Sequence, residues 1–175
     1  MLKALFLDRD GIINVDHGYV HQIQDFTFND KIFDLLHLFI NHNYKLFIVT
    51  NQSGIGRDYY TLDEFKIVTQ WMLEKFEEEN IKIETVKFCP HSPERHCHCR
   101  KPATGMVEEI LKEYHIDLDN SWMIGDKQSD IDLAHNAKIA HTIAIGERVI
   151  ENVNHRFSSI AECHDFFKAD SKRLN

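Results

Sequence analysis

Leu5-Phe6-Leu7-Asp8-Arg9-Asp10-Gly11-Ile12-Ile13-Asn14 is an apolar run that ends abruptly in two carboxylates one residue apart. It reads as a short buried strand. Residues i and i+2 of a strand share a face, so Asp8 and Asp10 can converge on one site. In open α/β sheets ligands gather at strand carboxyl ends, where such a pair suits a metal-assisted nucleophile with an acid/base neighbour. A lone Asp-x-Asp is more often a solvated turn after a strand. The reading therefore depends on partners elsewhere in the chain.

Those partners recur at other strand ends. Lys45 to Thr50 is a second apolar strand running into Thr50-Asn51-Gln52-Ser53-Gly54-Ile55-Gly56-Arg57, small donors and glycines of the kind a phosphate cradle needs. No G-x-x-x-x-G-K-[ST] pattern is present, so this is not a P-loop. Trp122-Met123-Ile124 ends in Gly125-Asp126-Lys127-Gln128-Ser129-Asp130, again acidic. Glu84 to Phe88 and Ile139 to Ile145 read as two more strands. Helical spacing lies between them: Asp30 as cap to about Asn41, a Thr61 capping box opening a helix to about Asn80, and a face of Met106, Ile110, Leu111 and Tyr114. A Ser159 capping box opens a terminal helix, and Asp170 to Asn175 reads as frayed. Alternation of this kind predicts an α/β fold with a doubly wound, mainly parallel sheet. One domain over 1–175 is expected, with a flap at about 12–28, a metal loop at 89–99 and no room for a large cap domain.

The 175 residues carry a formal net charge of -8, which argues against a nucleic-acid surface held by phosphate contacts. With no apolar run of membrane-spanning length and no signal-peptide pattern, a cytoplasmic protein without membrane contact is expected. Three of the four cysteines fall in Cys89-Pro90-His91-Ser92-Pro93-Glu94-Arg95-His96-Cys97-His98-Cys99. Prolines at 90, 93 and 102 forbid a regular helix or central strand there. Cys89, His91, Cys97 and Cys99 make the ligand set of a closed structural zinc site, with His96 and His98 as competing nitrogen donors. Arg100 and Lys101 follow directly, two cations that a stiffened loop could aim at a phosphate; an Arg-Lys pair alone is usually solvated surface.

In order, Asp8-Arg9-Asp10-Gly11, Thr50-Asn51-Gln52-Ser53, Arg100-Lys101-Pro102 and Gly125-Asp126-Lys127-x-x-Asp130 resemble the four motifs of the haloacid dehalogenase superfamily of phosphohydrolases. The similarity covers about residues 3 to 147. Within that superfamily the Cys/His loop resembles the group acting on heptose 1,7-bisphosphate and histidinol phosphate. Asn14-Val15-Asp16-His17-Gly18-Tyr19-Val20-His21 and Asn51 to Arg57 favour the heptose substrate. The short spacing between His91 and Cys97 resembles the histidinol-phosphate branch instead.

The resemblance implies a magnesium-dependent phosphatase with Asp8 as nucleophile and Asp10 as acid/base. Thr50 and Lys101 would stabilise the transferring phosphoryl group. Magnesium would be held by Asp8, the Asp10 backbone carbonyl and Asp126, and zinc by the Cys3His set. Arg9, Asp16, His17, Gly18, Tyr19, Asn51, Gln52, Ser53, Arg100 and Lys127 are expected to contact substrate, and Asp130 to orient Lys127 or its loop. The expected reaction removes the C7 phosphate of a heptose bisphosphate, in precursor synthesis for lipopolysaccharide or other surface glycans, by a monomer with no macromolecular partner. Histidinol phosphate is the alternative substrate. A non-catalytic zinc-dependent binding module is the alternative of another class.

Overall fold

The computed structural model describes residues 1–175. Six strands form one parallel sheet: β1 (Lys3–Leu7), β2 (Tyr44–Asn51), β3 (Ile83–Cys89), β4 (Trp122–Gly125), β5 (His141–Ile145) and β6 (His155–Phe157), in spatial order β3-β2-β1-β4-β5-β6. Six α-helices accompany them: α1 (Ile32–Asn41), α2 (Ser53–Gly56), α3 (Leu62–Glu78), α4 (Gly105–Glu113), α5 (Gln128–Asn136) and α6 (Ile160–Ala169).

Alternation along β1 builds both cores. Leu5 and Leu7 enter a 26-residue cluster that also takes Phe39 from α1, Met72 from α3 and Phe167 from α6. Ala4 and Phe6 enter a 13-residue cluster with Ile110 from α4 and Leu133 from α5. Strand β1 is thus apolar on both faces, as a central parallel strand must be. It pairs with β2 on one side (Leu5 with Leu46) and β4 on the other (Leu5 with Trp122). The chain winds outward through β2 and β3, returns to β4, and leaves a switch point between β1 and β4 where side chains can gather.

Four local expectations are corrected. Helix α1 starts one residue after Lys31, which is left-handed (φ 64°) and provides no side-chain cap, so Asp30 is not the N-cap. Strand β6 was not expected; its three residues pair with β5 at the sheet edge. Residues Ser171–Leu174 form a 3-10 turn in place of a frayed end, with Leu174 buried and its carbonyl accepting from Lys3 Nζ at 2.9 Å. The front of the 12–28 flap is core: Ile12, Ile13 and Asn14 have no exposure, and Asn14 bridges to Phe28. The stretch from Asp16 to Tyr19, the Gln22 to Asp25 turn and Thr27 are the exposed parts of the segment. No helix is long and apolar enough to cross a membrane.

Candidate active site

The carboxyl ends of β1, β2 and β4 deliver Asp8, Thr50 and Asp126, all buried. Asp8 Oδ1 accepts from the Arg9 backbone N–H and from Lys101 Nζ, each at 2.8 Å. Lys101, 4% exposed, also donates to the Val49 carbonyl at 2.8 Å and pairs with Asp130 at 2.7 Å. Its backbone is held by Asn51, whose Oδ1 accepts from the Lys101 N–H at 3.0 Å. One buried lysine is thereby shared by two buried acids. Burial pushes Asp8 up to about 7, against the Lys101 charge, with Asp130 and Asp126 adding repulsion. Burial and the same two carboxylate partners act in opposite senses on Lys101, and the partners win, raising its affinity for its proton.

Asp10 is in a different environment. Arg9 donates to it through Nη2 at 2.8 Å and Nε at 3.2 Å, Asn14 Nδ2 at 3.0 Å and Gln52 Nε2 at 3.0 Å. Burial alone would raise Asp10; the Arg9 charge and these hydrogen bonds outweigh it and hold the carboxyl below its ordinary range. The two neighbouring carboxyls are thereby pushed apart, Asp8 upward and Asp10 downward; a cation on Asp8 and a phosphate dianion beside Asp10 would each act in the opposite sense.

Arg9 is where the structure departs most from the sequence expectation. It is 1% exposed, its guanidinium spans Asp10 and the Val20 carbonyl (2.5 Å), and it lies over the Phe26 and Phe65 rings. Rather than facing substrate, it ties the acid/base candidate to the flap. Gln52, 3% exposed, is held within the site: its amide donates to Asp10 and to Thr50 Oγ1, and its oxygen accepts from Tyr60 Oη at 2.5 Å. His21 of the flap stacks on Tyr60. Asn14, read in the sequence only as the end of the opening stretch and the head of a substrate-favouring one, and Tyr60, which no motif contained, are members of this network. His17 is exposed and lies outside the cleft described next.

That cleft, of 300 Å³, is lined by Asp10, Asp16, Tyr19, Ser53, Arg100 and Lys127 among others, with Gly18, Asn51 and Gln52 also contributing. Lys127 Nζ lies 3.6 Å from Asp16 and 3.7 Å from Asp126. Asp130 holds the turn beneath it, accepting from the N–H groups of Asp126 (3.1 Å) and Lys127 (3.0 Å). It steadies the loop as expected, but its ion-pair partner is Lys101. Gly125 is required for this closeness, since a Cβ there would sit 2.1 Å from that of Asp130. A Cβ on Gly11, which has φ +90°, would meet Asp126 at 2.5 Å.

Two donor sets have the chemistry of cation sites. Asp8, Asp126 and Asp130 place carboxylate oxygens within 4.8 Å of one another. Oδ1 of Asp126 and Oδ1 of Asp130 are both buried without a hydrogen bond, but that of Asp130 is ion-paired with Lys101 at 2.7 Å, whereas the nearest cation to that of Asp126 is Lys127 at 3.7 Å. An unpartnered buried carboxylate oxygen beside a second carboxylate fits a hard divalent ion. The second set is Cys89, His91, Cys97 and Cys99, with sulfur separations of 3.0 to 3.5 Å and His91 Nδ1 3.2 Å from Cys99 Sγ. All three cysteines are free thiols, and hydrogen bonds from its neighbours bring Cys97 down to about 6 against the effect of its burial. His98 instead pairs with Glu108 at 2.8 Å, and His96 forms a left-handed turn. The loop is stitched to the phosphate-side turn: the Gln52 N–H donates to the Cys89 carbonyl and the Gly56 N–H to that of Pro90, both at 2.8 Å.

Comparison with known proteins agrees with this geometry. A HAD-hydrolase-like family model matches residues 98–149. The D-glycero-beta-D-manno-heptose-1,7-bisphosphate 7-phosphatase of Helicobacter pylori strain 26695 is 46% identical, covering 94% of this chain and 93% of that protein. The D-glycero-alpha-D-manno-heptose-1,7-bisphosphate 7-phosphatase of Campylobacter jejuni is 45% identical, covering 95% and 96%. The crystal structure of D,D-heptose 1,7-bisphosphate phosphatase from B. bronchiseptica, complexed with magnesium and phosphate, shares the fold with a TM-score of 0.83 at 20% identity over 97% of this chain and 99% of that one. The chain belongs to the heptose-1,7-bisphosphate 7-phosphatase family of haloacid dehalogenase-like hydrolases.

Proposed function

We propose that this phosphatase removes the C7 phosphate of D-glycero-D-manno-heptose 1,7-bisphosphate through an aspartyl-phosphate on Asp8. The observation that supports the mechanism is the single buried lysine shared by Asp8 and Asp130, with the Asp10 carboxylate held beside them by Arg9, Asn14 and Gln52. An Asp8 oxygen attacks phosphorus as the bond from phosphorus to the C7 oxygen breaks, and Asp10 gives its proton to the departing alkoxide. Asp10 then takes a proton from the water that attacks the same phosphorus, releasing inorganic phosphate and restoring Asp8. Arg9 keeps Asp10 ionised in the free protein; the phosphate dianion of the substrate adds negative charge beside it and favours the protonated form. Lys101 offsets the charge of the transferring phosphoryl group and the Thr50 hydroxyl donates a hydrogen bond to it, while Arg100 and Lys127 on the cleft wall hold the remainder of the substrate. Magnesium, held by Asp8, Asp126 and the Asp10 carbonyl, supplies charge neutralisation at the phosphoryl group when bound.

A monomer can do this, because every group named comes from one chain. The two relatives quoted carry opposite anomers in their names at nearly equal identity, so overall similarity does not set anomer choice. A phosphate-release panel with magnesium and both heptose bisphosphate anomers is expected to show at least one turned over roughly tenfold or more above histidinol phosphate, a preference of about 1.4 kcal/mol. Faster release from histidinol phosphate would overturn the substrate assignment.

Zinc in the Cys3His set would act by position, since Arg100 and Lys101 begin one residue after Cys99. Stripping zinc with a chelator and restoring magnesium in excess is expected to lower kcat/KM by about tenfold or more, as loss of a supporting shell does elsewhere. Full activity in protein shown by metal analysis to be zinc-free would refute the positioning role.

A further inference from the structure

A second cleft, of 590 Å³, shares no lining residue with the substrate cleft and is bounded by Gly11, Asn29, Asp126, Gly146, Arg148 and Ser159 among others. Asp126 lies on its wall. Arg148 stands in the same cleft. Its Nη1 donates to the Asp126 carboxylate Oδ2 and, at 3.1 Å, to the Asp126 backbone carbonyl. The pair is lopsided: the Arg148 side chain is 56% exposed and that of Asp126 only 9%.

Three features make this contact a replaceable one. Half-exposed arginine gives up little hydration or packing whether it is seated or swung out. It sits on a short span between Gly146, which has φ +101° and open space around it, and the buried anchor Ile150; Val149 between them is fully in solvent. The other oxygen of Asp126 remains without a hydrogen bond, its nearest cation being Lys127 at 3.7 Å. A divalent ion on Asp8 and Asp126 would meet a guanidinium in contact with its own ligand, and like charges at that range repel strongly.

We propose that Arg148 is a displaceable counter-cation on Asp126 that must leave when a divalent ion binds there, so that it sets metal affinity. The proposal rests on the divalent-ion reading of the Asp8 and Asp126 pair. Its test is direct binding of manganese(II), followed by the resonance signal of the free ion, to zinc-loaded full-length wild type, Arg148→Gln and Arg148→Lys. Arg148→Gln is expected to bind manganese roughly three- to tenfold tighter, the reach of one partly exposed ion pair, while Arg148→Lys stays near wild type. Arg148→Gln should also melt lower than wild type without manganese and level with it at saturation. Equal or weaker manganese binding by Arg148→Gln overturns the proposal. Wild type that binds no manganese overturns the divalent-ion reading itself.

Discussion

Asp8→Asn is expected to reduce turnover by about a thousandfold or more, the equivalent of about 4 kcal/mol of transition-state stabilisation, while leaving the protein folded. The amide keeps the shape of the carboxylate and its acceptor for the Arg9 N–H, but it cannot form an acyl phosphate. Lys101 retains Asp130 and the Val49 carbonyl as partners. The same substitution carries a stability signature. Asp8 has its folded pKa raised to about 7, above the carboxylate value of 3.8 that serves for the unfolded chain. The folded state therefore binds that proton more tightly, and ionising Asp8 costs stability as pH rises from about 4 through 7. Asn carries no such cost. Metal-free Asp8→Asn is expected to melt above metal-free wild type at pH 8, with the difference closing as pH falls toward 4. Melting curves at the two pH values check this; a variant that melts lower at pH 8 would mean the Lys101 pair more than offsets the burial of Asp8.

The strand ends were legible because each combines an apolar run, whose period and length mark a buried strand, with an abrupt polar stop. Asp8, Thr50 and Asp126 could be placed at one sheet edge on that basis alone. Arg9 could not be read by the same rule, because β1 ends at Leu7 and Arg9 lies in the turn beyond it, where strand alternation no longer sets a side chain's face. Other features carry no such signal. Strand β6 is three residues in a polar stretch, and it exists because Ile143 to Ile145 offer it an edge to pair with. Leu174 lies among charges, and only its seat beside β1 reveals it as core. Tyr60 and Arg148 are single loop residues that reach Gln52 and Asp126 from 8 and 22 positions away, contacts that no local periodicity encodes. The cation sets show both cases. Cysteine and histidine spacing announced one, whereas the different fates of Asp126 and Asp130, four residues apart, depend on where Lys101 arrives from.

Lys101→Met should be the most damaging substitution for the fold and one of the most damaging for the reaction. Methionine matches the length and apolar stem of lysine, so packing is largely kept and charge is what changes. In the wild type Lys101 keeps its proton across the neutral range, because its folded pKa is raised above the ordinary 10.5. Its contribution is present at every pH below that value, and any pH dependence near neutrality comes from the acids. Without it, Asp8 and Asp130 are left buried together with no cation between them, and removing one member of a buried pair typically costs about 3–5 kcal/mol. Asp8 then moves further upward, so the folded state favours its protonation. The loss is expected to be largest at pH 8 and to shrink as pH falls through 7, where Asp8 takes up its proton. Denaturant unfolding at pH 8 and pH 5 measures it; an equal loss at both would show that Lys101 contributes through packing alone. Removing a preorganised cation from a transferring phosphoryl group is worth about 10²- to 10³-fold in kcat. Because Lys101 lies behind the cleft wall and is not part of it, the change should fall on kcat, with KM moved far less. A variant with wild-type kcat and raised KM would place Lys101 in substrate binding instead, and the shared-lysine account of the site would fail with it.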